Sequence, residues 1–286
     1  MQRKFTNFNS WTVTAAVIML LLFLPNLTIV TGIFTPTNEN WEHMKEFVLS
    51  SFIKTSLILI SATAILTITI GLSLAWLIAQ YQFPLRNFLK WALILPLSIP
   101  PFIGAYTYHG IVNYTGIIQS TLRDHFGLNL SPAFFDIMNL PGAIFIYTMF
   151  LYPYVYTITR IFLSQQSASL IESARMLGKG PWRTFFQVVI PISRVSIIGG
   201  ASLVVLEVLN DYGVVKYYGI QTFTTAIFQT WFGLGDIESS IKLAASLMGF
   251  VILILMIEKI LRGRRQYSYS TKNVRSLPLI KLNGWH

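Results

Sequence analysis

Residues Glu172 to Pro191 read ESARMLGKGPWRTFFQVVIP, a stretch of charge, glycine and proline set between two long apolar runs. Leu170, Ala174 and Leu177 fall at i, i+4 and i+7, the spacing of one helical face, and Gly178 stands where a helix ends in the left-handed conformation. Pro181 suits the first turn of a second helix, because its fixed φ is helical and an N–H there would have no intrahelical partner. That second helix is expected to place Trp182, Phe185, Phe186 and Val189 on one side. An apolar surface on so short an element either seeks a protein partner or lies on lipid headgroups with its aromatics down, and at this level both readings stand.

Outward from this stretch, apolar segments near 20 residues long recur, each able to cross the roughly 30 Å of bilayer hydrocarbon as a helix. They run from Trp11 to Val30, Thr55 to Ala79, Phe88 to Val112, Pro141 to Leu163, Ile190 to Leu209 and Ile241 to Ile260. The first exceeds the apolar core of a signal peptide, about 7–15 residues, and no Ala-x-Ala site follows it. The expected architecture is therefore an all-α membrane protein of six transmembrane helices, with the Ser164 to Pro191 loop between spans four and five. Composition agrees: 53% of the 286 residues are hydrophobic and 11% charged, against roughly 25% charged in soluble domains. Pro96, Pro100 and Pro101 in the third span remove backbone donors, which predicts either a gate or a packing kink.

Charge sets the topology. With the N-terminus inside, sixteen of the twenty-one Lys and Arg residues fall on the cytoplasmic side, among them Arg86, Lys90, Arg160, Lys179, Arg183 and Arg194. The opposite side carries most of the acids, as the positive-inside rule requires. The net charge of +10 is thus a membrane signal, and no basic patch interleaved with aromatics points to nucleic acid. There is no cysteine, and His43, His109, His125 and His286 lack ligand spacing, so no metal site is expected. Residues 1–261 form the membrane domain, and 262–286 read as a basic cytoplasmic tail or linker.

The loop resembles the signature of permeases of binding-protein-dependent ABC importers: Glu-Ala-Ala, three residues, Gly, nine residues, Ile-x-Leu-Pro. Here Glu172, Ser173, Ala174, Gly178, Val188, Ile190 and Pro191 keep every spacing, with Ser173, Val188 and Ile190 as mild departures. The resemblance implies a coupling helix that docks on an ATP-hydrolysing subunit through Glu172, Ala174, Gly178, Trp182 and Pro191. It also implies two ATP-binding subunits, a second permease half, either an identical chain or a separate one, and an extracytoplasmic substrate-binding protein. The chain itself binds no cofactor and is no enzyme on this reading. No phosphate-cradling GxxxxGK[ST] is present, so ATP and magnesium belong to the partner. A membrane-embedded enzyme or a channel is the competing class, and the clustered acid, base or metal ligands an enzyme needs are missing from the sequence.

Further stretches resemble the ferric-iron permeases, among them Leu95 to Pro101, Leu151 to Tyr156, Glu207 to Gly213 and Gln221 to Phe228. Ferric iron is the cargo this implies, with thiamine, phosphonate or polyamine as alternatives. The resemblance covers only the first half of a fused two-half permease, which leaves a half-size subunit or a fragment as the expectation. A carboxylate within a membrane helix is costly enough to suggest function. Glu207 and Asp211, one turn apart, are candidates for a cation path, with Tyr152, Tyr154 and Tyr156 as hard oxygen donors. The alternative is a helix-end carboxylate paired with Lys216 or a neighbouring helix.

Overall fold

The computed structural model describes residues 9–128, 131, 135–165, 171, 173–174, 176–262 and 279–281, the backbone alone for 165, 280 and 281. Glu172, Arg175 and most of the basic tail lie outside the described residues. The chain is helical nearly throughout. Helix α1 (Ser10–Gly32) is followed by α2 (Glu39–His43), which passes through a wide π turn (Met44–Val48) into α3 (Leu49–Gln80). Then come α4 (Arg86–Ala92), a 3-10 turn (Leu95–Ser98), α5 (Pro101–Val112), α6 (Ile117–Phe126) and α7 (Leu140–Gln165). Beyond the loop, α8 (Pro181–Thr184) enters a second π turn (Phe185–Val189) and continues as α9 (Ile190–Asn210). Short α10 (Gly213–Tyr217) and α11 (Phe223–Phe228) precede α12 (Ile237–Arg262).

Four stretches are long and apolar enough to cross a membrane: Ser10–Gly32, Glu39–Gln80, Pro181–Asn210 and Ile237–Arg262. A fifth arises if Arg86–Ser98 and Pro101–Phe126, bent by 94° from each other, count as one broken span. The third expected span is thus not a continuous helix. Pro100 and Pro101 explain the break, since residues preceding proline are pushed to extended backbone, and Ile99 and Pro100 adopt ψ of 120° and 135°.

The fourth expected span, α7, has 26 residues, about 39 Å at the helical rise, yet falls outside that apolar set. Its tyrosines, Pro153 and Arg160 lower its hydropathy. It tolerates them because it lies inside the bundle: Tyr147, Val155 and Tyr156 are fully buried. Helices α3 and α9 close on α7 from two sides at Val155. A β-carbon on Gly71 of α3 would stand 2.9 Å from Tyr152 O and Tyr156 N, and one on Gly200 of α9 would stand 2.7 Å from Val155 Cα. Such close backbone approach is how helices pack where lipid supplies no hydrophobic drive.

At the end of the bundle where α12 begins, Asp236 ties two distant segments together. Its Oδ2 accepts from Asn38 Nδ2 at 2.8 Å and Asn40 Nδ2 at 3.0 Å, while Oδ1 accepts from Ser239 N–H at 3.0 Å. Lys242 is buried beside this clamp and donates to Pro36 O at 2.8 Å. At the other end, Tyr81–Gln82 pair in parallel with Ile280–Lys281, so the end of the basic tail returns to the foot of α3.

Candidate functional site

The loop that follows α7 is built as two turns around Gly178. The first ends in a hydrogen-bond pattern that needs a left-handed residue: Lys179 N–H donates to Ala174 O at 3.1 Å and Leu177 N–H to Ser173 O at 3.0 Å, with Gly178 at φ +77°. Gly180 then caps α8, Pro181 occupies its first turn, and Thr184 Oγ1 donates back to Gly180 O at 3.0 Å. Lys179 Nζ donates to Gln187 Oε1 at 2.9 Å, bracing the two turns against each other. Among the described residues nothing lies within 4 Å of where a Gly178 or Gly180 side chain would begin.

The aromatic face expected on one side of α8 is divided. Phe185 and Val189 turn inward, and Phe185 packs on Trp76 of α3 with ring centroids 6.0 Å apart. Trp182 and Phe186 turn outward, 74% and 59% exposed, and stack at 6.3 Å and 19°. Helical spacing alone keeps all four on one side, since residues three and four apart are neighbours; the edge of the bundle runs through that side, so one i, i+4 pair packs inward and the other is left exposed. Ile171 and Ala174 are buried and seat the first turn, while Met176 and Leu177 are exposed at 90% and 79%. Pro191 is exposed in the first turn of α9, directly after the π turn, whose extra backbone length accommodates the missing N–H. The result is a rigidly seated apolar knob of Met176, Leu177, Trp182 and Phe186. Glu172 lies outside the described residues.

Residues 67–262, which include the whole loop, match the model of the binding-protein-dependent transport system inner membrane component family. The chain belongs to that family. Its relatives are ABC importer permeases: this permease is 29% identical over 233 residues to the Fe(3+)-transport system permease protein FbpB 2 of Haemophilus influenzae, covering 82% of this chain and 42% of that protein. It is 29% identical to the molybdenum transport system permease protein ModB of Escherichia coli K12 over 54% of this chain and 65% of that protein. It is 31% identical to the probable sulfate transport system permease protein cysT of Marchantia polymorpha over 59% of this chain and 56% of that protein. The permease thus spans about two fifths of the length of the ferric-iron relative and under two thirds of the molybdenum one. In fold it is similar to a chain of a bacterial ABC transporter that imports the acidic polysaccharide alginate, with a TM-score of 0.65, 17% identity and coverage of 88% of this chain and 93% of that one.

The five residues proposed from sequence for a cargo path are not gathered at one place. Asp211 is held by the protein: Tyr147 Oη donates to its Oδ2 at 2.7 Å, Val214 N–H donates to the same oxygen at 2.9 Å, and Thr224 Oγ1 donates to its carbonyl at 2.9 Å. Its side chain thus satisfies an N–H in the first turn of α10. Among the described residues neither Glu207 nor Asp211 forms a salt bridge, so the pairing with Lys216 is absent. Tyr152 and Tyr156 are buried against α3, and Tyr156 Oη donates to Lys90 O at 3.0 Å. Glu207 is exposed on α9, and Tyr154 is half-buried on α7. Tyr147, the residue that fixes Asp211, was not singled out in the sequence. Its partner is 64 positions away and no periodicity links them.

Proposed function

We propose that this permease is one half of the membrane pathway of an ATP-driven importer, and that its 164–191 loop docks on a separate ATP-hydrolysing subunit. The observation that carries the docking is the Gly178 turn, which presents Met176, Leu177, Trp182 and Phe186 to the outside while Phe185 anchors it to Trp76. An apolar knob fixed to the bundle through α3 and continuous with α9 can convey a push from a partner to the membrane helices. On this reading all six segments cross the membrane, with the broken α4–α5 pair and the buried α7 as the third and fourth spans. Both termini and the loop lie on the cytoplasmic side, where the basic residues collect. A second half, two ATP-binding subunits carrying ATP and magnesium, and an extracytoplasmic binding protein complete the assembly.

Ferric iron is the proposed cargo. An exposed intramembrane carboxylate, Glu207, supplies a hard oxygen donor that favours a hard cation. Molybdate or sulfate is the second reading, favoured by the names of two of the relatives. The deciding experiment is uptake of labelled iron into proteoliposomes containing this chain, its ATP-binding subunits, its second half and the binding protein. Thiamine, phosphonate, polyamine, molybdate and sulfate serve as competitors. ATP-dependent iron uptake resistant to all of them supports iron, whereas ATP-dependent uptake of an oxyanion in its place overturns it.

A further inference from the structure

Arg160, near the end of α7 on the basic side of the bundle, is 8% exposed, and its Nε has no hydrogen-bond partner. Among the described residues it forms no salt bridge, the ion pairs being Arg123 with Asp124 and Arg262 with Glu258. Its guanidinium is held by two rings, with Cζ 5.7 Å from the Trp91 centroid and 5.6 Å from that of Tyr156. Lys90 Nζ stands over the same Trp91 ring at 5.3 Å. Trp91 thus gathers two cations, one from α4 and one from α7. Ring faces stabilise a cation but do not neutralise it, and a buried guanidinium without an anion is costly.

The apolar surroundings say which anion fits. Helix α4 and the residues that follow it turn Leu89, Leu93 and Ile94 toward the core, and turn Phe88, Trp91 and Leu95 outward at 66%, 63% and 62% exposure. These outward residues recur at i, i+3 and i+7 and form one apolar strip beside the cations. The strip lies at the end of the bundle where the sequence places the membrane boundary, since Arg86 and Lys90 flank it and the apolar α5 leads away from it. A free anion in water has no use for that strip. We infer that Arg160, Lys90 and Trp91 form a binding site for the phosphate of an anionic phospholipid, whose acyl chains lie along Phe88 and Leu95.

The test is native mass spectrometry of the delipidated full chain titrated with dioleoyl phosphatidylglycerol or dioleoyl phosphatidylcholine. The wild type is expected to take its first phosphatidylglycerol about thirtyfold more tightly than phosphatidylcholine, as a pair of cations near a membrane surface provides. Lys90→Gln, at a half-buried position, is expected to lose most of that preference, and Arg160→Gln the same. Arg160→Lys should retain part of it, and Arg123→Gln at the opposite end all of it. An unchanged preference in Lys90→Gln overturns the site. Displacement of the lipid by excess inorganic phosphate overturns the lipid as the ligand, and loss of lipid on self-association assigns the strip to a second copy of the chain instead.

Discussion

The hydroxyl of Tyr147, buried in the middle of α7, donates to Asp211 Oδ2 at 2.7 Å, and the same oxygen caps Val214 N–H at 2.9 Å. One carboxylate oxygen therefore joins the innermost helix to the start of α10. Tyr147→Phe removes a single donor without changing shape. It is expected to cost about 1–3 kcal/mol, as for a buried acceptor that loses a partner. Thermal unfolding in detergent measures this, and an unchanged melting temperature would show that the bond does not hold the junction.

Because Asp211 is occupied in this way, the cargo path is best tested at Glu207 alone. Glu207→Gln keeps size and lies on an exposed face of α9, so melting should stay within about 0.5 kcal/mol of wild type. Iron uptake in proteoliposomes should fall at least about tenfold if the carboxylate attracts the cation, a loss equivalent to about 1.4 kcal/mol. Wild-type uptake in this variant removes Glu207 from the path.

Gly178 has φ +77° and, among the described residues, no neighbours where a side chain would start. Gly178→Asp is expected to insert and melt almost normally, since Asp tolerates the left-handed region better than most residues. The added side chain stands on the docking turn. Co-purification of the ATP-binding subunit should be lost, and recovery at wild-type yield would refute docking at this turn.

The inward and outward aromatics separate stability from coupling. Phe185→Ala opens a cavity against Trp76 and should destabilise by about 3–5 kcal/mol. Trp182→Ala with Phe186→Ala removes only exposed rings, so melting should move by no more than about 0.5 kcal/mol per substitution. In the assembled importer the double variant is expected to uncouple ATP hydrolysis from uptake. Tight coupling retained in the double variant would assign the two rings to lipid headgroups.

Asp236 offers a pH test. Burial pushes its carboxyl up, but donation from the Ser239 N–H and from the Asn40 and Asn38 amides outweighs this and holds it at about 2, against an ordinary value of 3.8. A depressed value means that the contribution to stability is present above pH 3.8 and is lost as pH falls through about 2. Asp236→Asn, which faces two amide donors with a third, should melt lower than wild type by the same margin at pH 7 and pH 5. The margin should shrink measurably near pH 3. A gap that does not depend on pH across this range would show that the charge plays no part in the clamp.

Local geometry was legible from Gly178 and Pro181 because each is dictated by backbone sterics: a left-handed residue after Leu177, and a helix start that needs no N–H. The break after Ile99 followed from Pro100 and Pro101 in the same way, although the choice between a kink and a full break did not. The division of the aromatics at α8 was not legible, since which of two offset i, i+4 pairs faces inward depends on the position of Trp76 more than 100 residues earlier.

By itself the sequence determined that the protein is an all-helical membrane protein and which permease family it belongs to. These rest on composition, charge and short spacings, which act within a few turns of helix. Only the tertiary structure decided that α7 lies inside, clasped through Gly71 and Gly200 at Val155, and so can carry tyrosines and an arginine that a lipid-facing helix would not. Only it decided that Asp211 is bound by Tyr147, and that Arg160 is buried over Trp91 without a counterion among the described residues. Those relations join residues far apart in the chain, and their energies exist only once the helices have packed.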